Sequence, residues 1–162
     1  MSSVRVFSAH ICLVAAALCT DSAAFGAGFD IRDYGARTTA VAAVNRVAIQ
    51  KALDAAGRAG GGVVIVPAGL WTTGTIWLRS HVELHLEPGA VLKGSADKRD
   101  YNELDAYPQN YDCPEEEWGG GHLIIAHEVE DVLLTGPGTV DGNGPAFLNP
   151  DAPPDPVRKA RM

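Results

Sequence analysis

Apolar residues fall along this chain in short, dense runs separated by polar and Gly/Pro-rich corners. One stretch has helical spacing. Over residues 45–60, Ala48, Ile49, Ala52, Leu53 and Ala56 recur every three or four positions, which puts them on one helix face. Asn45 is the expected N-cap, because a short polar side chain can accept from the first free amides. Gly57, Gly60, Gly61 and Gly62 are expected to end the helix. Beyond them the pattern changes to β-branched runs of strand length, at 63–66, 75–78, 82–86, 90–92, 123–125 and 132–134.

Three runs close on related punctuation: Val66-Pro67-Ala68-Gly69, Leu86-Glu87-Pro88-Gly89 and Thr135-Gly136-Pro137-Gly138. Gly69 and Gly89 are 20 residues apart, a period typical of solenoids that stack strand upon strand. Gly89 and Gly138 are 49 apart, which predicts two further periods with about nine residues to spare. The surplus is assigned to the polar stretch 95–121, which has no apolar periodicity and reads as a long loop. The 45–60 helix is expected across the open end of the stack, hiding unpaired strand edges. A turn-rich sandwich also offers short strands, but in/out alternation is weak here and a sandwich leaves the 20-residue echo unexplained. The fold class expected is all-β, a right-handed parallel β-helix with an N-terminal capping α-helix.

Composition narrows the picture. Eighteen Gly and ten Pro among 162 residues weigh against a helical bundle, and the clustered Val, Ile and Leu weigh against disorder. Thirteen Lys and Arg against twenty Asp and Glu give a net charge of −7. That balance lacks the basic footprint a nucleic acid or anionic membrane requires, so neither is expected as a partner. The length suits one domain but is short for a fold built by repetition.

Residues 1–24 read as a secretory signal: Arg5, the apolar run 11–19, then Ser22-Ala23-Ala24 as a cleavage site. The run is too short to cross a bilayer. The expected location is therefore secreted or periplasmic. Cys12 and Cys19 fall inside the signal, so Cys113 stands without a disulfide framework and reads as buried and inert. Residues 149–162 are Pro-rich and read as a linker rather than a cap.

A family resemblance rests on six stretches in order. They are Phe29-Asp30-Ile31-Arg32-Asp33-Tyr34-Gly35-Ala36, the helical run 48–56, and Gly60-Gly61-Gly62 with the run 63–69. Then come Leu78-Arg79-Ser80-His81-Val82-Glu83-Leu84, the run 89–95, and Gly136-Pro137-Gly138-Thr139-Val140-Asp141-Gly142-Asn143-Gly144. Together, over roughly residues 28–148, they resemble the N-terminal portion of glycoside hydrolase family 28, the polygalacturonases and rhamnogalacturonases that degrade pectin. The resemblance implies a right-handed parallel β-helix and secreted hydrolysis of pectic polysaccharide, with inversion and no metal or other cofactor. In that family an Asn-Thr-Asp, an Asp pair, a Gly-His-Gly and an Arg-x-Lys carry catalysis, on coils after the matched region. None of the four occurs in this sequence, and Gly121-His122-Leu123 lacks the second Gly. No catalytic, cofactor-binding or metal residue is carried over.

The remaining constellations read as structure. Inverting hydrolysis needs two carboxyl groups about 6.5–9.5 Å apart. The acidic run Asp112, Glu115, Glu116 and Glu117 reads as a solvated face, and Trp118 as an aromatic tucked over the solenoid. Asp141 is the most site-like carboxylate, yet Asp-Gly-Asn-Gly is turn chemistry. His81-Val82-Glu83-Leu84-His85 lies on a predicted strand, where its two His, in one row of a sheet face, sit about 13 Å apart, too far to share a zinc ion. The glycines at 57–62 follow a helix and precede a strand, the reverse of a phosphate loop.

The chain is therefore expected to be the cap and first coils of a monomeric, exported pectinase-like hydrolase, inert and aggregation-prone as residues 1–162 alone. Two rivals stay open: a polysaccharide lyase of the same fold, and a non-catalytic carbohydrate-binding or structural solenoid. The lyase would leave an unsaturated, ultraviolet-absorbing end, and the solenoid would bind oligogalacturonide without turnover, against the net charge of −7.

Overall fold

The computed structural model of this chain describes residues 28–104 and 120–147. The expected signal at 1–24, Cys113, the acidic run with Trp118, and the tail at 149–162 all lie outside the described residues.

The chain opens with β1 (Gly28–Asp30), a 3-10 turn (Ile31–Tyr34) and α1 (Ala42–Arg58). Then β2 (Gly62–Val66), β3 (Gly69–Thr73) and β4 (Ile76–Trp77) form a first round. A second round holds β5 (Val82–Leu86), β6 (Ala90–Gly94) and β7 (Ile124–Ile125). A third begins with β8 (Leu133–Thr135) and β9 (Thr139–Asp141). The strands sort into three sheets ordered β1-β2-β5-β8, β3-β6-β9 and β4-β7, and every pairing is parallel. Each round of chain thus adds one strand to each sheet in turn. Parallel pairing throughout excludes the sandwich alternative, whose hairpins need antiparallel neighbours.

The repeat differs from expectation in one respect. Gly62 pairs with Val82, a 20-residue step, but Glu83 pairs with Leu133 and Val91 with Thr139. The 49-residue interval is therefore one enlarged round, not two rounds with a remainder. The surplus lies between β6 and β7, where the chain turns a corner of the stack. Strands β1, β3 and β9 also went unforeseen. In β3, Thr72 and Thr73 replace the apolar residues that marked the other runs.

The Pro/Gly punctuation does mark the corners. At Gly136, φ is +92°, and a Cβ there would lie 2.0 Å from the Leu86 carbonyl oxygen. Only glycine lets the third round lie this close upon the second. Between corners, β2 and β5 alternate buried and half-buried residues, so the rounds share interior columns. One column runs Val64, Leu84, Leu134 and another Trp71, Leu92, Val140. Val64, Leu84 and Leu92 are fully buried, whereas Leu134 is 51% exposed and Val140 41%. Among the described residues, the third-round end of the interior is uncovered.

The other end is closed by α1. Its face of Ala48, Ile49, Ala52, Leu53 and Ala56 is buried, as expected. Its start is not as expected. The helix begins three residues before Asn45, after an extended Val41 that makes no side-chain cap. Asn45 is fully buried inside the helix, its Oδ1 accepting from the Arg37 amide (2.9 Å) and its Nδ2 donating to the Thr72 carbonyl of β3 (3.1 Å). Five residues on, Gln50 Oε1 accepts from the Trp77 amide (2.8 Å) while Gln50 Nε2 donates to the Trp77 carbonyl (3.0 Å). Two helix side chains thus bond to the outer backbone edges of β3 and β4. No helix among the described residues is long and apolar enough to cross a membrane.

These bonds set a stability prediction. Asn45→Ala strands the Arg37 amide and the Thr72 carbonyl, and should lower the unfolding free energy by about 1–3 kcal/mol in a urea titration. Val44→Ala, at a half-exposed neighbour, should stay within about 0.5 kcal/mol. Equal effects from the two variants would contradict the role of Asn45 in joining α1 to the β3 edge.

Candidate functional site at the base of the insertion

The insertion leaves β6 at Gly94 and rejoins the stack at β7. Ser95 still extends the ladder, donating its amide to the Thr73 carbonyl (2.8 Å). A 3-10 turn (Lys98–Asp100) follows, capped by Asp97, whose carboxylate accepts from the Arg99 amide. The turn packs against the stretch between β3 and β4. Thr75 N–H donates to the Asp100 carbonyl, and a Cβ on Gly74 would fall 1.8 Å from that same oxygen.

Asn102 gathers the two ends of the insertion. Its amide donates to Thr75 Oγ1 (2.9 Å), and its Oδ1 accepts from the Gly121 and His122 amides (3.1 and 3.0 Å). Its Nδ2 donates to the Leu104 carbonyl (2.6 Å). Thr75 Oγ1, itself buried in the stack, donates to the His122 carbonyl (2.6 Å). Neither Thr75 nor Asn102 was foreseen as important. Asn102 sits in a stretch that offers no periodicity, and Thr75 opens an apolar run whose spacing reports nothing of its hydroxyl. The bonds that join them to each other and to the far end of the insertion span 19 to 47 residues.

Beside this junction lies a cleft of about 510 Å³ lined by Lys98, Tyr101, Asn102, Glu103, Gly120, Gly121 and Phe147. Tyr101 and Phe147 meet edge to face, ring centres 5.8 Å apart and planes at 81°. The Tyr101 hydroxyl donates to the Ser95 carbonyl (2.7 Å), and burial pushes this phenol up from its ordinary value. The cleft offers aromatic edges, an amide, one cation and one anion, a set that suits a polar ring. Among its described lining residues Glu103 is the only carboxylate, and these residues alone do not make an acid/base pair.

The weighed constellations fall elsewhere. Asp141 ends β9 and serves its own turn, accepting from the Asn143 amide (2.8 Å) with Lys93 Nζ 3.9 Å away. His81 is not on a strand. It precedes β5 with φ +61°, in the left-handed region, and its ring lies near the carboxylates of Glu130 and Asp131 (3.6 and 3.2 Å). The expected shared row of His81 and His85 is therefore corrected, because the turn rotates His81 out of the sheet. Glu83 and His85 do share the outer face of β5, where Thr135 on β8 donates to Glu83 and lies 2.7 Å from His85 Nδ1. His122 lies two residues before β7 and has Asn102 Nδ2 3.3 Å from its Nδ1.

No family model matches the chain. It is 34% identical to an exo-poly-alpha-D-galacturonosidase of Dickeya chrysanthemi, over 71% of this chain and 19% of the relative. It is 37% identical to a Vitis vinifera protein named as a polygalacturonase, over 54% of this chain and 18% of that protein. The structure of the family 28 exopolygalacturonase of Yersinia enterocolitica superposes with a TM-score of 0.57 at 30% identity, over 72% of this chain and 21% of that enzyme. The chain is thus a homologue of family 28 polygalacturonases over the part it shares with them. It spans about a fifth of the length of the curated relatives it matches.

Two predictions follow from the junction. Asn102→Ala should raise amide hydrogen exchange at Gly121 and His122 about tenfold or more while β2 and β5 keep their protection, read by peptide-resolved mass spectrometry. Unchanged exchange there would show that Asn102 does not fasten the insertion. The Asp97 cap should survive mild acid, because the side-chain bond from Arg99 holds its carboxyl down to about 2, helped by the Arg99 backbone amide. With the folded value depressed, the cap's contribution is complete above about pH 4 and is lost as pH falls through about 2. An Arg99→Ala variant should lose it at higher pH, in an acid titration followed by NMR of the Asp97 side chain.

Proposed function

We propose that this chain is the N-terminal cap and first coils of a right-handed parallel β-helix within a secreted, monomeric glycoside hydrolase. The enzyme cleaves glycosidic bonds of pectic polysaccharide with inversion, and residues 1–162 alone are catalytically inert. One observation carries the reading: three parallel sheets, each extended by one strand per round behind a capping helix, in a chain 30% identical to a family 28 exopolygalacturonase over 72% of its length. Inertness is supported by the sequence, which holds none of the four catalytic motifs expected of that family. Export is supported by the signal-like residues 1–24. The uncovered Leu134 and Val140 support further coils continuing the interior columns.

The test has two arms. Pure 1–162 incubated with polygalacturonate should release no reducing ends, and release would overturn inertness. Coding DNA beyond the Met162 codon should encode Asn-Thr-Asp and an Asp pair, and the extended protein should release reducing ends without an ultraviolet-absorbing unsaturated product. Absence of those codons, or an unsaturated product, would overturn the hydrolase reading.

A further inference from the structure

A second groove, of about 260 Å³, runs between α1 and β4 and is lined by Arg46, Gln50, Lys51, Asp54, Thr75 and Trp77. Three of these residues have work inside the fold. Gln50 holds the β4 backbone, Thr75 holds the insertion, and Asp54 accepts from Gln50 and pairs with Arg79 (2.8 Å). Arg46, Lys51 and Trp77 do not use their side chains this way. Both cations are exposed, and among the described residues neither has a carboxylate in ion-pair range. By contrast Arg32, Arg79, Lys93 and Arg99 each have a carboxylate partner within 4 Å. Arg37, Arg58 and Lys98 likewise have no carboxylate partner among the described residues, but only Arg46 and Lys51 line a groove together with a tryptophan.

Trp77 lines the same groove, half-buried. The Trp71 indole is committed, donating to the Pro67 carbonyl (2.7 Å), whereas the Trp77 indole N–H has no acceptor among the described residues. Its backbone N–H and C=O are both bonded by Gln50 on one edge, so the ring is carried on a strand rather than a loop. An amphipathic ring with a free donor, in one groove with two cations that have no carboxylate partner, matches a ligand with an apolar face and a carboxylate.

We propose that this groove binds a uronate unit of an acidic oligosaccharide, Trp77 packing on the sugar's C–H face and Arg46 and Lys51 pairing with its carboxylate. The choice of a galacturonate ligand rests on the functional reading above, while the cations and the ring rest on the geometry alone.

The experiment titrates isotope-labelled chain with trigalacturonate and follows the Trp77 indole N–H, assigned with Trp77→Phe. A saturable shift is expected, with affinity falling about tenfold or more in Arg46→Glu/Lys51→Glu, and falling also at high salt. Maltotriose, which has no carboxylate, should not shift the resonance. Arg46→Gln/Lys51→Gln serves as the milder variant if charge reversal disturbs folding, with the same direction expected. An unmoved indole, or affinity within twofold after charge removal, would overturn the groove. Those results together with hydrolysis of polygalacturonate by the extended protein would sink the groove and leave the function standing. Binding of an oligoglucuronate through the same three residues, with no polygalacturonate hydrolysis, would uphold the groove and sink that function.

Discussion

The structure depends on how a stack of parallel sheets is brought to an end. Every strand in such a stack has two backbone edges, and the first round presents an outer edge with nothing before it. In the first sheet β1 supplies a neighbour for β2. Among the described residues the other two sheets have no such strand, and α1 stands in for it. Gln50 reproduces what a neighbouring peptide group would do for Trp77, accepting from its amide and donating to its carbonyl. Asn45 supplies the donor that the Thr72 carbonyl lacks. A buried backbone group left unpaired costs about 1–3 kcal/mol, so these amides let the helix bury its apolar face without stranding the sheets beneath.

The same logic explains the asymmetry between the ends. At the helix end, interior columns finish under Ile49 and Leu53, both fully buried. At the other end they finish at Leu134 and Val140, roughly half exposed, with β7, β8 and β9 as edge strands. Between these ends a single insertion departs at one corner and is fastened at its base by Thr75 and Asn102. The stack therefore separates two jobs: its columns hold the rounds together, while its corners can extrude chain without disturbing register.

Much of this was legible in the sequence because apolar spacing reports burial directly. The buried face of α1 and the runs that became β2, β5 and β6 follow from period, and the corners follow from Pro and Gly. What was not legible lies in polar residues whose partners are distant in sequence. Asn45 looked like a cap because it opens an apolar helical pattern, but its amide bonds to a strand 27 residues later. Gln50, Thr75 and Asn102 gave no signal for the same reason. The second period was miscounted because an insertion of that length imitates another turn of the repeat. His81 was placed on a strand because β5 begins one residue later, after a left-handed turn that sequence spacing does not register. As for the candidate cleft, it lies at the base of the polar stretch 95–121, and Tyr101 and Phe147, 46 residues apart in sequence, meet edge to face in its lining.

The claim that a helix side chain substitutes for a missing strand is most directly tested at one proton. Native-state hydrogen exchange at the Trp77 amide should show protection comparable to the ladder amides of β5. In Gln50→Leu, which keeps the apolar stem but removes the amide, that protection should fall by at least tenfold while β5 and β6 change little. A Trp77 amide equally protected in Gln50→Leu would contradict the account, because the edge of β4 would then be closed by something other than α1.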